Sequence, residues 1–311
     1  MPYIKKQLFS NGKKAFVLLM RELGLSMQEA QRFIDKKRLF CNDILVEHKN
    51  QILNGKIELI SYVNVPNGDK PIFDNEYFAI FEKRSGILTH PNGRNCKYSL
   101  CDEIWSLYGH KASVAHRLDK ETSGLILVAK DKNTQIILKN MFAKQEIKKE
   151  YIALVQGKIN DKFSISAPIY LTKDEYSIKT RMQINPNGKI AKTNFIRLEY
   201  FDNLDISLVL CQPLTGRQHQ IRLHLYHIGH KILGEYLYGL DDEGVKLILD
   251  KKISDETRIK ITGAKRLCLH SNSLEFNFDN KNYKFVSNIN IKEEFLKSIN
   301  QNVSYETLFR I

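Results

Sequence analysis

Two short apolar runs, Ala112 to Ala115 and Leu125 to Ala129, enclose a polar stretch that begins at His116 and ends at Gly124. Both runs are aliphatic or β-branched and too short for a buried helix, so each is predicted as a buried strand. A chain that must bury two such strands close together builds its core on a sheet. The enclosed stretch reads His116-Arg117-Leu118-Asp119-Lys120-Glu121-Thr122-Ser123-Gly124, and Gly124 is expected to supply a turn. Asp119 is then held on a rigid scaffold beside Arg117. An ionised aspartate in that position is either a cap or a reacting group.

From Ile72 onward, short apolar runs and helical stretches follow one another irregularly. Tyr77 to Glu82, Tyr151 to Val155 and Ser207 to Leu210 are strand candidates. Leu274 to Phe278, a turn at Asp279-Asn280 and Tyr283 to Val286 predict a C-terminal hairpin. Strands that do not alternate regularly with helices argue for a mixed α+β domain and against a parallel nucleotide-binding sheet.

Residues 13–62 read as a separate small unit. Phe16, Leu19, Met20 and Leu23 have helical spacing, and Gly24 ends that helix. Ser26 and Glu29 form a capping box for a second helix, with Ala30, Phe33 and Ile34 on one face and Arg32, Lys36, Lys37 and Arg38 opposite. A hairpin is expected around Asn42-Asp43, and one more strand, Ile57 to Ile60, after a turn at Asn54-Gly55. Two helices, a basic edge and short strands in this order resemble the S-four-like RNA-binding domain. Such a helix can lie along phosphates and fix register without reading bases; the plainer reading is a helical hairpin with solvated lysines. The polar stretch Val63 to Pro71, with two prolines and a glycine, reads as a linker. The expected organisation is therefore residues 1–62, a linker at 63–71, and a large domain over 72–311.

Lysine and arginine number 48 against 35 acids, a formal charge of +13. Such an excess favours a polyanion by releasing its counterions, although a solvated surface would look the same. The five cysteines form no CxxC pair and are expected as reduced thiols. No apolar stretch is long enough for a signal peptide or a membrane span, so a cytoplasmic protein without membrane association is expected. G-x-G-x-x-G, GK[ST], H-E-x-x-H and G-x-S-x-G are all missing. The expected reaction therefore uses neither nucleotide energy nor a metal, and no cofactor is predicted.

A second constellation is Pro213-Leu214-Thr215-Gly216-Arg217-Gln218-His219-Gln220-Ile221-Arg222-Leu223-His224. Thr215 and Gln218 read as a capping box, predicting a helix from Gly216 to about Gly229. Ile221, Leu225 and Ile228 share a face, and Arg217 lies one turn before Ile221. An arginine on an inward face needs a carboxylate, because an unpaired buried charge is very costly. Asp119 is the candidate partner; an exposed arginine near a helix end is the alternative. His219, His224, His227 and His230 could suggest zinc, but no cysteine or carboxylate lies among them, and RNA contact, capping and packing suit these rings better. Tyr151 reads first as a strand aromatic with its hydroxyl at the rim.

These motifs resemble those of the RluA family of pseudouridine synthases. His116 to Gly124 is similar to the family's HRLD-x-x-TSG loop, whereas a related family would have Gly for His116 and Glu for Ser123. Thr215 to His224 is similar to TGRxHQIRxH, Lys149 to Val155 to K-x-Y-x-A-x-V, Gly188 to Thr193 to G-K-x-A-x-T, and Arg266 to His270 to R-L-x-L-H. Lys83 to Pro91 resembles K-P-x-G-x-x-x-H-P, with Arg84 in place of the usual proline, which suggests a less rigid loop. The resemblance spans residues 72 to about 286.

It implies a mainly antiparallel mixed sheet and isomerisation of uridine to pseudouridine in RNA. Asp119 would be the catalytic residue, Arg217 its ion-pair partner, and Tyr151 the residue that stacks on the base and moves protons. Arg117 would fill the gap left by a flipped uridine, with His116 and Lys83 alongside as RNA contacts. An S-four-like domain on such an enzyme points to large-subunit ribosomal RNA, with transfer RNA as the alternative. Two other classes stay open: an inactive RNA-binding protein, and a glycoside hydrolase, for which Glu121 is the only second acid near Asp119 in sequence. The oligomeric state is not legible, and a monomer is the default.

Overall fold

A computed structural model describes residues 3–91, 96–171, 178, 181–250 and 252–299. The chain forms two compact units: Met1–Asn67 together with Pro91–Glu103, and Gly68–His90 together with Ile104–Ile311.

The first unit contains β1 (Tyr3–Lys14), α1 (Ala15–Leu23), α2 (Met27–Asp35), β2 (Leu39–Cys41), β3 (Ile44–Leu45) and β4 (Ile52–Tyr62), with sheet order β1-β4-β2-β3. Leu18, Leu19, Ala30, Ile34, Leu39, Leu53, Ile57 and Leu59 form its core. Gly24 closes α1 in the left-handed conformation and the Ser26–Glu29 capping box opens α2, both as expected. Asn42 and Asp43 both have positive φ and join β2 to β3.

The expected turn at Asn54-Gly55 does not form. Both residues lie inside β4, paired with Asn11 and Ser10 of β1. The Asn42 side chain explains this: its amide donates to the Asn54 carbonyl (2.9 Å) and its oxygen accepts from Lys56 N (2.9 Å). It occupies the space that a side chain on Gly55 would need, with Oδ1 only 2.5 Å from an ideal Cβ position.

The segment after β4 is held in place. Asp102, in α3 (Leu100–Tyr108), accepts from the Tyr62 hydroxyl at 2.6 Å and from Val65 N at 3.0 Å, while Glu103 accepts from Asn67 N. The part of the expected linker up to Asn67 thus belongs to the first unit.

The second unit contains β5 (Phe73–Asp74), β6 (Phe78–Lys83), β7 (Ser113–Val114), β8 (Ser123–Ala129), α4 (Lys132–Ala143), β9 (Lys148–Gln156), β10 (Lys162–Leu171), β11 (Met182–Ile184) and β12 (Lys189–Phe201). It continues with β13 (Ile206–Pro213), α5 (Gln220–His227), α6 (Asp242–Leu249), α7 (Asp255–Thr262), β14 (Leu269–Phe278), β15 (Lys281–Val286) and α8 (Ile291–Ser298). The sheet runs β11-β10-β12-β13-β9-β14-β8-β6-β5, with β15 added to β14 and β7 to β8. Among the described strands only β14 and β8 pair in parallel, so the sheet is mixed and mainly antiparallel.

β8 is buried at all seven residues, which is why its sequence is a continuous apolar run without alternation. Leu125 and Leu127 pack with Phe78, Ile80, Leu274 and Phe276, while Ala153, Val155, Val209 and Leu267 share a second core. Gly124 is not a turn residue. It lies within β8 at φ +109, and an ideal Cβ there would lie 2.2 Å from the Ser271 carbonyl oxygen. Glycine is needed so that β14 can approach the strand that carries the Asp119 loop.

Candidate active site

The loop between β7 and β8 is fastened on several sides. The Thr89 hydroxyl donates to the Leu118 carbonyl at 2.9 Å, Gly86 N donates to the Lys120 carbonyl at 2.9 Å, and the Ser85 hydroxyl donates to the Glu121 carbonyl at 2.6 Å. The Glu121 carboxylate is paired with Arg258 and accepts from Leu267 N. Leu118 is buried and points the loop inward, leaving Asp119 half-buried between exposed neighbours Arg117 and Lys120.

Asp119 Oδ2 accepts from Arg222 Nη1 at 2.9 Å and faces His219 Nε2 at 3.7 Å. Its Oδ1 has no hydrogen-bond partner among the described residues. The same guanidinium is clamped from the other side by Glu235, with Nε–Oε2 at 2.6 Å and Nη2–Oε1 at 2.7 Å. Side-chain exposure falls from 29% at Asp119 to 4% at Arg222 and 0% at Glu235, so one cation is buried between two carboxylates. Glu235 Oε1 also accepts from Leu237 N at 2.7 Å.

Burial by itself would raise the Asp119 carboxyl, but the positive groups at His219, Arg222 and Lys83 hold its pKa below the ordinary range. Burial pushes His219 down to about 4 despite the pull of Asp119, so this ring is neutral at pH 7. Arg222 is therefore the adjacent cation that keeps the carboxylate charged at neutral pH. Glu235 is likewise held ionised by Arg222 against the effect of its burial.

The arginine that reaches Asp119 is Arg222, not Arg217. Arg217 is exposed, and its Nε donates to the Ile190 carbonyl at 3.3 Å. The cause lies in how the helix starts. The Thr215 hydroxyl accepts from Lys192 N at 3.0 Å and donates to Gln220 Oε1 at 2.7 Å, so it is committed to β12 and does not cap a helix at Gly216. His219 takes a left-handed backbone at φ 54, and α5 begins only at Gln220. Residues 216–219 stay outside the helix, and the inward face carries Arg222.

The other expected site residues separate into three groups. Arg117 is exposed beside Asp119, without an ion-pair or hydrogen-bond partner among the described residues. Tyr151 lies on β9 opposite Cys211 and Ser271, half-buried; burial raises its pKa to about 12, with Ser271 opposing this and the Asp119 charge adding to it. Tyr151 and Asp119 are thus close enough to sense one another. Arg32, Lys36 and Lys37 are exposed and Arg38 half-buried, all at or after the C-terminal part of α2 in the first unit.

Lys83 and His116 are braces. Lys83 is 1% exposed, and its ammonium donates to the carbonyls of Arg84 (3.0 Å), Ile87 (2.8 Å) and Lys120 (3.0 Å). All three of its donors are used inside the protein, so it has none left for a phosphate. It ties the segment after β6, where Arg84 stands, to the Asp119 loop. His116 Nε2 accepts from Leu127 N at 3.1 Å, its ring lies 4.7 Å from Phe142, and burial with Lys149 nearby lowers its pKa to about 3. A neutral ring spent on a backbone amide is not an RNA contact. The histidines after Pro213 also diverge: His219 meets Tyr238, His224 meets Thr193, and His230 donates to the Gln156 carbonyl. Among the described residues no cluster of His, Cys, Asp and Glu could hold a metal ion.

Residues 77–227 match the family model described as RNA pseudouridylate synthase. A Helicobacter pylori protein described as an uncharacterized RNA pseudouridine synthase is 39% identical over 289 residues, covering 92% of this chain and 96% of its own. The chain belongs to the RluA family of RNA pseudouridine synthases.

The synthase is also 33% identical to ribosomal large subunit pseudouridine synthase C of Buchnera aphidicola subsp. Baizongia pistaciae, over 72% of this chain and 67% of that one. It is 33% identical to the mitochondrial tRNA pseudouridine(32) synthase of Saccharomyces cerevisiae, over 68% of this chain and 47% of that one. Human RNA Pseudouridylate Synthase Domain Containing 1 has the same fold, with a TM-score of 0.55 at 23% identity, covering 72% of this chain and 86% of that one. As an RNA pseudouridine synthase the protein is an isomerase.

Sequence reasoning missed Arg222, Glu235, His219 and Tyr238 as parts of the synthase's site. Arg222 and His219 lie within the recognised motif, and Glu235 lies only 13 residues beyond Arg222. A usable signal was present: a charged pair flanking the glycines and prolonged apolar stretch after α5.

Proposed function

We propose that the synthase modifies uridines of large-subunit ribosomal RNA, with Asp119 as the catalytic carboxylate. One observation carries the assignment to Asp119: one oxygen is anchored by a buried arginine while the other is free on a half-buried loop. An anchored, ionised carboxylate is suited to act as nucleophile or base.

The reaction breaks the bond between the ribose C1′ and N1 of uracil and joins C1′ to C5. The proton lost from C5 is balanced by one gained at N1, so there is no net redox change. A stacked uridine must first be extruded, which costs a few kcal/mol and leaves a gap in the stack. Arg117, exposed and adjacent to Asp119, is suited to fill that gap. Tyr151 offers an aromatic face to hold the detached uracil and a hydroxyl to exchange protons. Because its pKa is pushed up to about 12, it carries its proton at neutral pH.

The first unit, with exposed Arg32, Lys36 and Lys37, is proposed as an S-four-like RNA-binding domain that lies along phosphates. The ribosomal reading is supported by the Buchnera relative's name and by the chain's net charge of +13; the yeast relative's name supports transfer RNA as the second reading. Mapping pseudouridines in ribosomal and transfer RNA from cells with and without the protein separates them. Loss confined to transfer RNA would overturn the ribosomal assignment. Purified Asp119→Asn is expected to bind RNA without forming pseudouridine, and normal product formation would remove Asp119 from the mechanism.

A further inference from the structure

His219 has three features that helix capping does not explain. It starts α5 in the left-handed region at φ 54, where a residue with a Cβ is strained, and its side chain makes no capping hydrogen bond. Its ring is 8% exposed yet directed at the half-buried carboxylate, with Nε2 3.7 Å from Asp119 Oδ2. Its Nδ1 lies 3.0 Å from the hydroxyl of Tyr238, itself 3% exposed.

The hydrogen-bond geometry selects a tautomer. Met182 N donates to the Tyr238 oxygen at 3.2 Å, so that oxygen already serves as an acceptor. The Tyr238 proton then has one described acceptor in reach, His219 Nδ1. A ring that accepts at Nδ1 and is neutral carries its hydrogen on Nε2, facing Asp119. The opposite tautomer would leave a buried hydroxyl proton unpaired and aim a nitrogen lone pair at a carboxylate; both are unfavourable.

We infer that His219 is a positioning residue for Asp119: Tyr238 fixes its ring with the proton on Nε2, and that N–H is a second donor to Asp119 Oδ2 beside Arg222. Two donors on one oxygen set the rotation of the carboxylate and leave Oδ1 turned to the uridine. The strained backbone at residue 219 is what brings the ring to this point. The inference rests on Asp119 being the catalytic carboxylate.

The test compares His219→Gln, His219→Asn and Tyr238→Phe in the full chain. Turnover is read as tritium released from C5 in a mixture of unmodified large-subunit ribosomal and transfer RNA transcripts carrying [5-³H]uridine. A glutamine amide can place an N–H near Nε2, whereas asparagine reaches only as far as Nδ1. Asparagine, however, tolerates the left-handed backbone best. We expect His219→Gln to stay within about fivefold of the wild-type kcat, and His219→Asn and Tyr238→Phe to lose about tenfold to a hundredfold, with KM unchanged in all three. Asparagine equal to or better than glutamine means that the residue serves only the backbone, and overturns the inference.

If the variants do not fold, ¹⁵N shifts of the histidines in the wild-type protein decide: a His219 ring protonated at Nδ1 overturns it, and one protonated at Nε2 upholds it. An active Asp119→Asn would refute the catalytic assignment itself. An inactive Asp119→Asn combined with an active His219→Asn would refute only the positioning role.

Discussion

Arg222→Lys is the perturbation that most directly tests the site. The guanidinium makes three charge-assisted hydrogen bonds, two to Glu235 at 2.6 and 2.7 Å and one to Asp119 at 2.9 Å. Lysine keeps the positive charge but offers one ammonium, which cannot form a bidentate pair with Glu235 and also reach Asp119. Glu235 is the fully buried carboxylate, so the ammonium settles there and the Asp119 contact is lost. A hydrogen bond to a charged group contributes about 1.5–3 kcal/mol, so kcat is expected to fall roughly 10- to 150-fold. With the cation withdrawn, burial acts on Asp119 unopposed and its pKa rises, so the acid limb of the rate profile moves to higher pH. The sign follows because Asp119 is active when ionised. Removing the side chain altogether, as in Arg222→Ala, strands Glu235 and is expected to cost about 3–5 kcal/mol of stability. Tritium release from C5-labelled RNA, measured between pH 5 and 8, gives both the loss and the profile, and chemical denaturation gives the stability. A parallel Arg217→Lys should change kcat less than about threefold, since Arg217 is exposed. Full activity in Arg222→Lys together with collapse in Arg217→Lys would refute this reading of the ion pair.

Lys83→Met should destabilise the protein by about 2–4 kcal/mol, because three buried carbonyls lose their donor, yet leave the salt dependence of RNA binding unchanged; a smaller salt slope would put Lys83 on a phosphate after all. The ammonium's pKa is lowered by burial to about 7, with Arg266 adding to the effect and Asp119 and Glu121 opposing it. A lysine depressed in the folded state binds fewer protons there than in the unfolded chain between about pH 7 and its ordinary value near 10.4. Its contribution to stability therefore rises with pH across that window, and Lys83→Met should flatten the pH dependence of the unfolding free energy there. Arg32→Gln with Lys36→Gln should lower the slope of log binding constant against log salt by up to about 2, read by fluorescence anisotropy on ribosomal RNA fragments; an unchanged slope would make the basic edge of α2 a solvated surface. Arg117→Ala should reduce turnover on paired uridines more than on single-stranded ones, because only the former leave a gap to fill, and equal losses on both would remove it from that role.

Local chemistry was legible from sequence wherever a few neighbouring residues decide the outcome. Asn42-Asp43 and Asp279-Asn280 turn the chain because both members of each pair adopt positive φ, and Ser26 with Glu29 caps α2 through side chains three residues apart. The flanks of the Asp119 loop also declare themselves, since a strand buried on both faces must be apolar throughout. The residues that were misread depend on partners distant in sequence. Tyr3–Lys14 is a strand because β4 pairs with it, and Asn54-Gly55 is extended because Asn42 bonds to both sides of it. Thr215 looks like a cap in sequence, but Lys192 of β12 claims its hydroxyl, which delays α5 and exchanges Arg217 for Arg222. The sequence by itself determined that Asp119 sits on a short loop between buried strands, within a recognisable family motif. Tertiary structure alone decided which cation reaches it, because burying a guanidinium requires two carboxylates to meet it, and Asp119 and Glu235 come together only once the sheet and α5 are assembled.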